Sequence, residues 1–173
     1  MGMKNSWQVA TAAEALVAAQ FARCGWDISV QYGANQPEYD LVAVSGDKFL
    51  KISVKGSKDG AWGLTQSYLA KDAANYQEAI EGWLARYTRK TVFCFVQFKD
   101  TEINEMPRLY LATPQEVAAW LKSAISGRGS TVLYEKKAWT SRAHGAGTTD
   151  EIPASWCFTE ARIEQLVASF GAV

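Results

Sequence analysis

Hydrophobic positions along the chain recur in two distinct periods. Over residues 7–24 the spacing is helical, with Leu16, Val17, Phe21 and the alanines on one side and Gly25 just beyond. That predicts an amphipathic helix stopped at a glycine. Residues 26–31 alternate and predict a first strand, and 32–37 are rich in turn formers. Two alternating runs then flank Ser45-Gly46-Asp47-Lys48: Leu41-Val42-Ala43-Val44 before it and Phe49 to Val54 after it. This predicts a β-hairpin with Gly46 opening a type II′ turn.

Further on, a loop over 56–60 leads to a short strand over 61–66. Ala73, Tyr76, Ile80, Trp83, Leu84 and Tyr87 recur at helical spacing and predict a helix over 72–87. Residues 91–98 are an almost unbroken apolar run, as expected of a central strand covered on both faces. A strand over 108–112 follows, then a helix capped by Thr113 with Pro114 at its first position. A strand over 131–134, a long polar loop over 136–152 and a last helix, capped by Thr159 and ending near Phe170, complete the order. The succession predicts one α/β domain over 1–173, with a mixed central sheet flanked by helices.

The hairpin places chemistry. A two-residue loop Gly46-Asp47 pairs Ser45 with Lys48, and counting back sets Asp40 opposite Ser53 and Glu38 opposite Lys55. Asp40, Lys51, Ser53 and Lys55 then share one face, with Leu41, Ala43, Ile52 and Val54 on the other. Glu14 is the polar residue on the core-facing stripe of the first helix, since positions three, four and seven later are Val17, Ala18 and Phe21. It also completes the capping-box pattern Thr11-Ala12-Ala13-Glu14, a purely local role.

Composition narrows the classes. Eighteen basic and eighteen acidic residues give zero net charge, so any polyanion footprint is local. Cys24, Cys94 and Cys157 are odd in number and far apart, which fits reduced cysteines rather than a disulfide framework or zinc site. The first residues lack a signal-peptide core and no run approaches a membrane span, so a cytoplasmic protein with no membrane partner is expected. No motif calls for an organic cofactor; Lys55-Gly56-Ser57-Lys58 lacks the glycine spacing of a phosphate-binding loop. His144, the single histidine, has no cysteine or acid at metal spacing.

A loop ending Pro37-Glu38-Tyr39-Asp40, an apolar hairpin and a strand ending Ser53-Val54-Lys55, preceded by a helix bearing Glu14, resemble the PD-(D/E)XK nuclease superfamily. The resemblance covers about residues 10–100 as an order of elements and implies a restriction-endonuclease-like fold. It further implies hydrolysis of DNA phosphodiesters with Mg2+ or Mn2+ on Asp40 and Glu14, Lys55 at the attacking water, and Ser53 in the catalytic set. Lys58, Ser57, Gln66 and Lys71 become candidate nucleic-acid contacts, and a homodimer is left open. One departure stands out: where the family carries its middle acid, two residues before the lysine, this chain has Ser53. Compensation would come from Glu14 or Glu38. A catalytically degenerate module that binds nucleic acid or protein is the alternative, and a cross-strand Asp40–Lys55 ion pair is the bland one. Lys136, Lys137 and Arg142 form a second basic patch, and Trp62 and Tyr68 offer rings that either stack on bases or pack internally.

Overall fold

The first helix, α1 (Ser6–Arg23), begins where Asn5 adopts extended backbone and accepts the Gln8 N–H on its side-chain oxygen at 2.9 Å. The start is therefore at Asn5, and Thr11 lies inside the helix, which removes the capping-box reading of Glu14. Val9, Ala13, Val17 and Phe21 form its buried stripe, and Gly25, at φ +80°, carries the chain out of it. The computed structural model describes residues 3, 5–31, 38–69, 75–88, 90–124, 131–140 and 146–171.

Strand β1 (Asp27–Val30) leads toward the hairpin of β2 (Leu41–Ser45) and β3 (Lys48–Ser57). Their register runs from Ser45 opposite Lys48 to Leu41 opposite Ile52, as the turn residues dictate, with Gly46 at φ +59°. After β4 (Ala61–Gly63), a 3₁₀ turn and α2 (Tyr76–Leu84), the chain enters β5 (Thr91–Gln97). All seven residues of β5 are buried, which is why its sequence reads as a continuous apolar run. Then come β6 (Arg108–Ala112), α3 (Pro114–Ala124), β7 (Val132–Tyr134), β8 (Lys136–Ala138), β9 (Thr149–Glu151) and α4 (Glu160–Gly171). Thr113 and Glu116 close a reciprocal cap on α3: the Thr113 hydroxyl accepts the Glu116 N–H at 3.1 Å, and the Glu116 carboxylate accepts the Thr113 N–H at 2.7 Å.

The central sheet has five strands in the order β1-β2-β3-β5-β6. Only β3 and β5 run parallel; the other neighbours are antiparallel, so the sheet is mixed. Helices α1 and α4 cover one face, over Leu41, Ala43, Ile52, Val54, Val92, Cys94 and Val96. Helices α2 and α3 cover the other at Phe93 and Phe95, joined by Trp62, Trp83 and Trp156. Trp62, which sequence left between base stacking and packing, belongs to this core. The expected polar loop over 136–152 holds a two-stranded ribbon instead, β8 against β9. Its strands are three residues each and largely exposed, so no alternation marks them; the Trp139 indole N–H to Asp150 at 2.8 Å and the Lys136–Glu151 pair at 3.0 Å hold it. No helix among the described residues is long and apolar enough to cross a membrane.

Candidate functional site

The site lies where β2 begins and β3 ends, with α1 alongside. Regular pairing stops at Leu41 opposite Ile52. Asp40 does not extend it to Ser53: its N–H donates to the Ile52 carbonyl at 2.8 Å, one residue out of step. The Asp40 Oδ2 accepts the Val54 N–H at 2.6 Å, so a side chain satisfies the strand donor that a backbone carbonyl would otherwise meet. This bulge-like exit fixes the carboxylate along the end of β3.

Helix α1 brings Glu14 to the same place. The helix approaches β3 closely at Gly56, where a Cβ would lie 2.9 Å from both Val9 Cγ1 and the Val9 carbonyl and 3.0 Å from the Ala13 Cβ. A glycine after Lys55 therefore sets how near Glu14 can come. Its carboxyl is held above the usual glutamate range, first by burial and then by the Asp40 carboxylate, with the Lys55 ammonium pulling the other way. These three groups thus feel one another's charge across two strands and a helix. The Lys55 main chain is fixed as well, its carbonyl accepting the Trp62 indole N–H at 2.8 Å.

The remaining candidates separate from this trio. Ser53 is 2% exposed, beside Phe93 on β5. Glu38 does not face Lys55. Its Oε1 accepts the Thr88 hydroxyl at 2.8 Å and the Thr91 hydroxyl at 3.1 Å, and lies 3.6 Å from Lys51 Nζ. Burial pushes its carboxyl up, but those hydrogen bonds and Lys51 outweigh it and leave it lowered. Glu38 is thereby occupied as a clamp between the entry to β2 and the entry to β5. The pattern along the chain does not reveal it, because Thr88 and Thr91 are about fifty residues away.

Ser57 is buried, its hydroxyl donating to Asp59 at 2.9 Å and accepting from the Gln97 amide at 3.2 Å. Lys58 is exposed and donates to the Met3 carbonyl at 3.0 Å. Gln66 is exposed in the 3₁₀ turn Gln66–Tyr68, its amide oxygen against Gly63. The Tyr68 hydroxyl accepts from Arg86 at 3.1 Å. Pro37, Lys71, Arg142 and His144 lie outside the described residues.

Two neighbouring carboxylates suit a small hard cation, which commonly takes one or two protein carboxylates plus water and substrate oxygens. Among the described residues no three His, Cys, Asp or Glu side chains gather as a closed metal cage. Glu14 and Asp40 are the two carboxylates that could hold such an ion, and the Asp40 charge, which raises the Glu14 pKa after burial, is a repulsion a cation would relieve.

The fold is similar to that of a solved endonuclease. A solved structure titled as a bacterial homing endonuclease, I-Ssp6803I, matches over 98% of this chain and 98% of its own, at a TM-score of 0.51 and 12% sequence identity. At that identity the likeness is one of architecture: an α/β core with a mixed five-stranded sheet between helices. No protein-family model matches the chain, and no curated protein sequence does.

Proposed function

We propose that the chain is a metal-dependent DNA nuclease of the PD-(D/E)XK kind, with Asp40 and Glu14 as metal ligands and Lys55 as the cation beside the scissile phosphate. The observation that carries this reading is the convergence of Glu14, Asp40 and Lys55 at the end of β3, linked through one another's charge. The likeness in fold to a homing endonuclease supports it.

In this reading Asp40, pinned to the Val54 amide, and Glu14 on α1 are the residues that would hold Mg2+ or Mn2+. The bound cation would supply Lewis-acid polarisation of the phosphate and a more acidic water. Lys55 stabilises the charge that builds on the phosphoryl oxygens or orients the attacking water. Ser53 stays out of the ligand set: a carboxylate at a position 2% exposed beside Phe93 would carry a heavy desolvation cost, which a hydroxyl does not.

Asp40→Asn is the variant of choice, because the amide oxygen still accepts the Val54 N–H while the charge is gone. Plasmid nicking in Mg2+ or Mn2+, with calorimetric metal titration on the same samples, should show both lost in Asp40→Asn. The fall in rate should be at least about a hundredfold, with an unchanged circular dichroism spectrum. A second reading, a degenerate module of the same fold, draws on Ser53 and on the structural bond of Asp40. Absence of metal binding by the wild type at millimolar metal would establish it over the first.

A further inference from the structure

Trp7 is 77% exposed, whereas Trp26, Trp62, Trp83 and Trp156 are buried and Trp120 and Trp139 half-buried. Among the described residues no hydrogen bond or ring contact engages this indole. Its position is specific: Trp7 and Glu14 are seven residues apart on α1, two turns less 20°, so they share one flank of the helix about 10 Å apart along its axis. That flank leads from the catalytic trio to the helix N-terminus.

The surroundings of Trp7 favour an anion. Lys58 reaches this end of α1, with its ammonium on the neutral carbonyl of Met3 at 3.0 Å, and no described carboxylate pairs with it. The first turn of α1 contains no acidic residue, so beyond the neutral Asn5 cap no carboxylate within it offsets the positive end of the helix dipole. An exposed indole face, an unneutralised cation and a positive helix end lie together, in line with Glu14.

We infer that Trp7 is a stacking platform for an unpaired base, and that the strand held at Asp40 and Lys55 runs along α1 as single-stranded DNA. The inference rests on the nuclease reading of that trio. In a duplex both faces of each base are covered by neighbours, so an indole gains a partner only from a strand whose bases are open. Stacking on aromatic side chains combined with cations along the backbone is how single strands are held without reading sequence. The substrate class follows: a single strand, or a frayed or overhanging end.

The test is fluorescence anisotropy in EDTA, which prevents cleavage. The probes are a labelled oligothymidylate of about fifteen nucleotides and a closed duplex dumbbell without ends. Wild type should prefer the single strand. Trp7→Ala should lower the ratio of single-strand to duplex affinity about tenfold, and Trp7→Phe should restore most of it. Lys58→Ala, which removes charge and leaves the indole, should weaken both probes alike. An unchanged ratio in Trp7→Ala, or a wild type that prefers the dumbbell, overturns the inference. Cleavage of the labelled oligothymidylate in Mg2+ by wild type and Asp40→Asn reads the nuclease hypothesis separately. Stacking without cleavage sinks that reading alone; cleavage with an unchanged ratio sinks this one.

Discussion

Glu14 is costly to the fold and Asp40 is useful to it. Glu14 is half-buried on α1 with its charge facing another carboxylate, which raises its pKa. Replacing it with the neutral isostere, Glu14→Gln, should raise the melting temperature by a few degrees at pH 7 with metal chelated, while metal-dependent nicking falls. Differential scanning fluorimetry with and without Mg2+ checks both halves; a lower Tm in chelator would refute the account. Glu14 was legible in the sequence because a glutamate on an apolar stripe is out of place. Glu38 was not, since Thr88 and Thr91 reach it through the fold rather than along the chain. The exposed Trp7 was equally hidden: a tryptophan near an N-terminus reads as packing until its surface is seen.

Among the elements, the contact of α1 with β3 governs the site. Gly56 allows it, and a methyl there meets Val9 backbone as well as side chain, so the helix has to move. Gly56→Ala should cost about 2 kcal/mol in denaturant unfolding and lower nicking more than the stability loss explains, because Glu14 shifts with the helix. Equal activity per folded molecule would count against this coupling. The β2–β3 hairpin could be read in register from Gly46-Asp47 and the alternation around it. The reading failed at Asp40, where the ladder slips, since a bulge leaves the alternation of flanking side chains almost untouched. The β8–β9 ribbon escaped for the opposite reason. Exposed on nearly every side, Lys136-Lys137-Ala138 and Thr149-Asp150-Glu151 had no buried face to impose a period.

Across the whole molecule, ion pairs tie the peripheral parts to the sheet. Arg162, 5% exposed, reaches from α4 to the Leu111 carbonyl at 3.1 Å and to Glu116 on α3 at 2.7 Å. At the root of the ribbon, Glu135 takes Arg108 at 2.6 and 2.9 Å and the Tyr110 hydroxyl at 2.7 Å. Burial pushes the Glu135 carboxyl up, but these donors outweigh it and leave it below the ordinary value of 4.5. A lowered carboxylate stabilises the fold above its unfolded pKa, and that contribution is lost as pH falls through the folded value. The Tm gap between wild type and Glu135→Gln should therefore be constant from pH 7 to about 5 and close below about 4.5. A gap that persists at pH 3 would assign the effect to packing. The match to a homing endonuclease at 12% identity belongs to this scale: the architecture is alike over almost the whole of both chains while few individual residues are.

The bond from Asp40 to the Val54 amide has an evolutionary consequence. A lineage that abandoned catalysis would still lose a strand end by discarding this aspartate, so drift should preserve it in silent and working descendants alike. Glu14 has no such bond among the described residues. Once cleavage ceased to matter, selection for a quieter helix would erase it. Under the nuclease reading proposed above, the helix position is the one expected to separate active chains of this architecture from inactive ones.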